Sequence, residues 1–208
     1  MTSIEICNSS LAILGMPPIV SLEDESNSAR QCRTLFPILR DRVLRDHLWS
    51  FATAFAELQQ LAEASPEERF SFVCALPADL IRVISIEGSG KYRKIAGKKI
   101  LVQALPARIA YIRRVTDSGE FDGCFAEALQ YLLAAELCMA NTRDGNLAGF
   151  YRQEYEHRLA AARSIDSAEN IDSFQHERHS SFLAARHSLG ERRHGLRKIE
   201  GDCGIQGV

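Results

Sequence analysis

At 208 residues the chain is long enough to bury a core in one domain, or in one domain with a subdomain. Its 46% apolar and 25% charged composition is ordinary for a soluble globular protein, and a formal charge of -2 lacks the basic excess of a general nucleic-acid binder. The six cysteines (Cys7, Cys32, Cys74, Cys124, Cys138, Cys203) form no Cys-x-x-Cys pair and read as reduced core or surface thiols rather than a disulfide frame.

The first element expected is a helix over residues 3–14. Ile4, Cys7, Leu11 and Leu14 share one face, Gly15 caps the end, and Met16-Pro17-Pro18 stops any continuation. The opening MTSIEICNSSLAILG has no basic region and no cleavage site, so no signal peptide is expected. No apolar run approaches the ~20 residues needed to cross a bilayer, so no membrane is expected as a partner.

A second helix starts near Ser26 or Asn27, both good N-caps, and buries Ala29, Cys32, Phe36, Leu39 and Val43. Pro37 lies inside this pattern and should kink or divide the helix, because it removes one backbone hydrogen bond. The far side carries Arg30, Arg33, Arg40 and Arg45, a solvated or interfacial face. Assigned to an interface, these four would meet acidic groups on an adjacent subunit. Trp49 and Phe51 stand where the helical period ends, and are expected to anchor the helices to the β-rich segment.

Residues 51–61 read as either a strand or an outgoing helix, and residues 62–69 as a surface loop. Phe70, Phe72 and Cys74 alternate with polar or small residues, as in a short strand. Residues 75–117 hold the clearest β signal. Ile81, Val83, Ser85 and Glu87 alternate with Arg82, Ile84 and Ile86, and two further β-branched runs cover residues 99–102 and 108–115. An antiparallel meander of three or four strands is expected. Helices then follow over residues 123–141 and 147–165, separated by the tight turn Asp144-Gly145-Asn146. The fold class is α+β. An antiparallel bundle of about four helices (residues 1–50 and 118–165) carries an inserted β-meander (51–117) and an extended C-terminal arm (166–208).

The arm differs in composition. Residues 173–208 hold six basic against four acidic side chains, a net of +2, whereas residues 1–172 hold 19 against 23, a net of -4. Phe174, Phe182, Leu183 and Leu189 are apolar anchors without a place in the bundle, and Arg186, Arg192, Arg193 and Arg197 are available to pair with carboxylates on a partner.

Reaction chemistry is weakly represented. The segment Glu87-Gly88-Ser89-Gly90-Lys91-Tyr92 lacks the first glycine and the Ser or Thr of a phosphate loop, and reads as a hairpin turn. Asp46 and His47 are adjacent on a helix and do not face each other, so His47 reads as a helix-end residue. His176, His179 and Cys203 fit no zinc spacing. No catalytic residue, metal or cofactor is expected.

Taken in order, the landmarks resemble a known family. They are Ile6-Cys7-Asn8-Ser9-Ser10-Leu11 through Leu14-Gly15, Pro17-Pro18-Ile19, Leu22-Glu23-Asp24 and Ser28-Ala29-Arg30. Phe36-Pro37, Arg40-Asp41 and Trp49-Ser50-Phe51-Ala52 come next. Leu76-Pro77-Ala78-Asp79-Leu80, Tyr111-Ile112, Arg114-Val115-Thr116-Asp117 and Phe121-Asp122 complete the set. Over residues 4–165 this resembles the tail tubular protein A family, the head-to-tail adaptors of short-tailed phages. The resemblance implies a structural virion protein, made in the host cytoplasm, that forms a ring of twelve copies beneath the portal. It implies contacts with the portal protein, the tail nozzle protein and tail fibres. Double-stranded DNA passes through the lumen without specific recognition, and an acidic body suits such a channel. The arm residues fall outside the matched landmarks and are assigned to portal binding. Two other readings stay open: a tail-associated cell-wall hydrolase, and a small helical DNA-binding protein.

Overall fold

The computed structural model describes residues 1–169, of which Met1–Asp166 forms one compact unit and Ser167 begins a second. The fold is α+β, with four helices and two antiparallel sheets. Helix α1 (Ser3–Ile13) starts with a capping box in which Thr2 and Glu5 satisfy each other's backbone N–H groups. Helix α2 (Asn27–Asp46) is capped by Ser26 and runs through Pro37 as one element rather than two. Pro37 itself is exposed, on the side away from the buried stripe. Helix α3 (Gly123–Asn141) is capped by Asp122, whose carboxylate accepts from the N–H groups of Cys124 and Phe125. Asp144 does the same for α4 (Gly145–Glu169), accepting from Asn146 and Leu147.

The expected single meander is corrected. Seven strands divide into a three-stranded sheet A, in the order β1-β7-β4, and a four-stranded sheet B, in the order β2-β3-β6-β5. Sheet A comprises β1 (Thr53–Glu57), β7 (Arg108–Arg113) and β4 (Leu80–Glu87). Sheet B comprises β2 (Gln59–Gln60), β3 (Phe72–Ala75), β6 (Lys99–Val102) and β5 (Tyr92–Ile95). Only β2-β3 and β5-β6 are paired neighbours in sequence. The glycine segment Gly88-Ser89-Gly90 is therefore not a hairpin turn but a crossing from sheet A to sheet B. Gly88 has φ +80, and a Cβ there would strike the Pro106 carbonyl, so the crossing needs glycine on both counts.

Sheet A lies between two cores. On one side Ile81, Ile112 and Val115 join Trp49, Phe125, Leu129, Leu132 and other residues from all four helices. On the other, Ile109 and Tyr111 meet Leu58, Cys74, Ile100 and Val102 of the sheet B side. Strand β7 serves both cores by ordinary alternation. Strand β4 does not, because its register with β7 shifts twice, between Leu80 and Arg82 and between Val83 and Ser85. Each shift adds a residue. Leu80, Val83 and Ile86 consequently reach the inter-sheet core, and Ile81 and Ile84 the helical core. A third, small cluster of Phe70, Val73 and Leu101 lies on the other face of sheet B.

Helix α3 qualifies the expectation that no apolar run approaches membrane-spanning length. It is 19 residues long and, among the described residues, apolar enough to cross a membrane by length and composition. Its apolar side chains are packed instead into the helical core, where Phe125, Leu129, Leu132, Leu133 and Leu137 are fully buried, whereas Met139 is exposed. In α4, Tyr155, Leu159 and Ala162 are buried and Leu147 is not. Tyr151 donates to the Ile13 carbonyl at 3.1 Å, and Arg158 stacks over the Tyr131 ring at 3.7 Å while bonding Glu127 of α3. The five described cysteines are free. Cys7 and Cys32 share a hydrogen bond between α1 and α2, which raises the Cys7 thiol above its ordinary pKa and lowers Cys32.

Candidate functional site

Trp49 is wholly buried between the end of α2 and the start of β1. Its indole N–H donates to the Val43 carbonyl at 2.9 Å, at the end of α2, where no further helical N–H is available to it. Phe125 meets it edge-on at 5.1 Å and His47 at 4.9 Å, with Phe51 at 6.0 Å. Phe51 is half-buried and continues the cluster to Phe121 and Phe125. His47 is bound from across the fold: its Nε2 lies 3.0 Å from Asp166 Oδ2, while Asp166 Oδ1 accepts from the Ser50 N–H.

The arginine face of α2 is not one surface. Arg30 and Arg33 are exposed; Arg33 reaches Glu23 at 3.4 Å, and the Arg30 side chain has no partner among the described residues. Arg40 does not stand on an open face. It is only 7% exposed, and its Nε and Nη2 both donate to Asp41 Oδ1, at 2.9 and 2.7 Å. The other oxygen of Asp41 accepts from Arg114 Nε at 2.7 Å. Arg45 is exposed at its surface but donates to the Ile81 carbonyl of β4 at 2.9 Å, and Arg82 returns a bond to the Arg45 carbonyl. The C-terminal half of α2 is thus stitched to sheet A through Arg45, while Arg30, Arg33 and Arg42 stay exposed.

The landmarks that carry the resemblance meet one another. Asn8 clamps Ile19 through both backbone groups, at 2.9 and 2.8 Å. Asp41 pairs with Arg114. Asp79 accepts from the Tyr111 hydroxyl at 3.2 Å, and its carbonyl accepts from the Arg114 N–H at 2.6 Å. Burial, and then the Asp79 charge, hold the Tyr111 hydroxyl above its ordinary pKa. Sequence reasoning names Asn8 and Asp79 only as landmarks of the resemblance, and gives Asp166 no role. Their partners are too far along the chain for any local spacing to signal the pairing.

Beside this seam lies an open pocket of about 300 Å³. Leu80, Ile81 and Ile95 supply apolar lining, and Arg45, Lys94 and Lys98 supply charge; no carboxylate lines it. The eight arm residues (Phe174, Phe182, Leu183, Arg186, Leu189, Arg192, Arg193, Arg197) and the cluster His176, His179 and Cys203 lie outside the described residues. Among the described residues, no group of three or more His, Cys, Asp or Glu is placed to hold a metal ion. The chain matches no protein-family model and no curated protein.

Proposed function

We propose that the chain is a non-enzymatic structural protein of the virion: a head-to-tail adaptor that forms a ring between portal and tail nozzle and encloses the DNA channel. In this reading the four helices pack as an antiparallel bundle, twelve copies close the ring, and an arm over residues 173–208 docks on the portal. The observation that supports it is the mutual contact of the landmarks. Arg40-Asp41 meets Arg114, Leu-Pro-Ala-Asp-Leu meets Tyr111 through Asp79, and Asn8 meets Ile19. Short motifs scattered by chance have no reason to select one another as partners. Their polar groups go into holding helices, sheet A and loops together, which suits a load-carrying part.

The test is assembly. Purified chain mixed with the portal protein of its phage should shift from the mass of a monomer to that of a ring on the portal. Deletion of residues 173–208 should abolish that binding, with the melting temperature of the remainder little changed. Absence of any complex with the full chain would remove the adaptor reading. Undiminished binding by the shortened chain would remove the docking role of the arm.

A further inference from the structure

Helix α2 ends in two features of opposite character. At its N-terminal end, residues 20–26 form a loop fixed by hydrogen bonds. Asn8 holds Ile19, and Asp24 Oδ2 accepts from the N–H groups of both Val20 and Ser21, at 3.1 and 3.0 Å. Between these ties Val20 is 89% exposed, the most exposed of the large apolar side chains described. An apolar side chain held out on a braced loop stays in water at a cost that burial elsewhere would recover. Glu23 and Glu25 flank it and are exposed. At the C-terminal end lies the 300 Å³ pocket, with an apolar lining and the cations Arg45, Lys94 and Lys98. Arg45 and Lys98 each give one bond to a backbone carbonyl, Ile81 and Ala78, and Lys94 has no partner among the described residues.

The geometry points to a contact between copies of this chain, in which the loop of residues 20–26 of one copy enters the pocket of the next. Val20 meets Leu80, Ile81 and Ile95, and Glu23 and Glu25 meet Lys94, Lys98 and Arg45. The two features cannot meet within one copy. They stand at opposite ends of a 20-residue helix, about 30 Å apart along its axis. A knob at one end and a socket at the other make a head-to-tail contact, which closes into a ring when the rotation per copy allows. The charges complement each other and desolvate only at the rim, where pairing directs partner choice. Glu23 must exchange its 3.4 Å pairing with Arg33 for the new one, and both groups are exposed enough to do so. This inference rests on the ring reading and names the surface that would build the ring.

The experiment mixes full-length chain at natural isotope abundance with 15N-labelled chain, with and without portal, and couples amines to touching carboxylates with a water-soluble carbodiimide. Mass spectrometry should find Lys94 or Lys98 joined to Glu23 or Glu25 in mixed-isotope peptides. Lys94→Glu/Lys98→Glu and Glu23→Lys/Glu25→Lys should each stop assembly. An equimolar mixture of the two variants should restore it, since each supplies the charge the other lacks. A chain that remains monomeric even with portal would overturn the ring and this contact together. A chain that forms rings, but whose cross-links run elsewhere or whose charge variants assemble as the wild type does, would overturn this contact alone.

Discussion

Trp49 illustrates how much a single side chain carries at a junction. It fills the space between the last turn of α2 and β1, touches His47 and Phe125 edge-on, and ties down the Val43 carbonyl. Trp49→Ala should therefore destabilise the chain by about 3–5 kcal/mol, read from urea unfolding, by removing buried area and leaving a cavity. Tyr155 makes a different kind of prediction. Burial, reinforced by the neighbouring Asp46 carboxylate, pushes its hydroxyl well above the ordinary value of 10.0. The folded state thus favours the protonated phenol. Its contribution is fully present below pH 10 and declines as pH rises through 10 toward the raised folded value. The urea midpoint of the wild type should fall between pH of about 9 and about 11 by more than that of Tyr155→Phe.

The elements are legible in the sequence to different degrees, for physical reasons. All four helices follow from apolar spacing, and α2 also from its N-cap, because both signals are local. Strands β4, β6 and β7 follow from β-branched runs, but their sheet membership does not. Thr53 pairs with Ile112 and Phe72 with Val102, and nothing near either residue encodes its partner. The alternation in β4 misleads because two bulges convert a two-residue period into a three-residue one, which lets Leu80, Val83 and Ile86 share a side. Arg40 escapes a sequence reading for a related reason. Its hydrocarbon stem is buried and its charge is answered by its own neighbour Asp41, while the ion that fixes Asp41 arrives from beyond β7 as Arg114. Asp41→Ala would leave Arg40 buried and unpaired. A loss of about 2–4 kcal/mol in unfolding free energy is expected, compared with under about 1 kcal/mol for Arg33→Ala on the open surface.

For the whole molecule, the placement of charge and the order of strands matter more than any one contact. The described unit spends Arg40, Arg114 and Arg158 on internal partners and leaves Arg30, Arg42 and Lys94 on the open surface. The strand order of sheet A also has a consequence in time. Its two outer strands, β1 and β4, pair only with β7, which comes last in sequence and lies between them. As the chain leaves the ribosome, neither outer strand has a partner until Arg108–Arg113 has emerged, while the β5-β6 hairpin closes locally well before. Any nascent or truncated chain that stops short of residue 108 lacks sheet A altogether, and with it the wall that separates the two cores. The central strand acts as a length gauge: the unit becomes foldable only once synthesis has passed it.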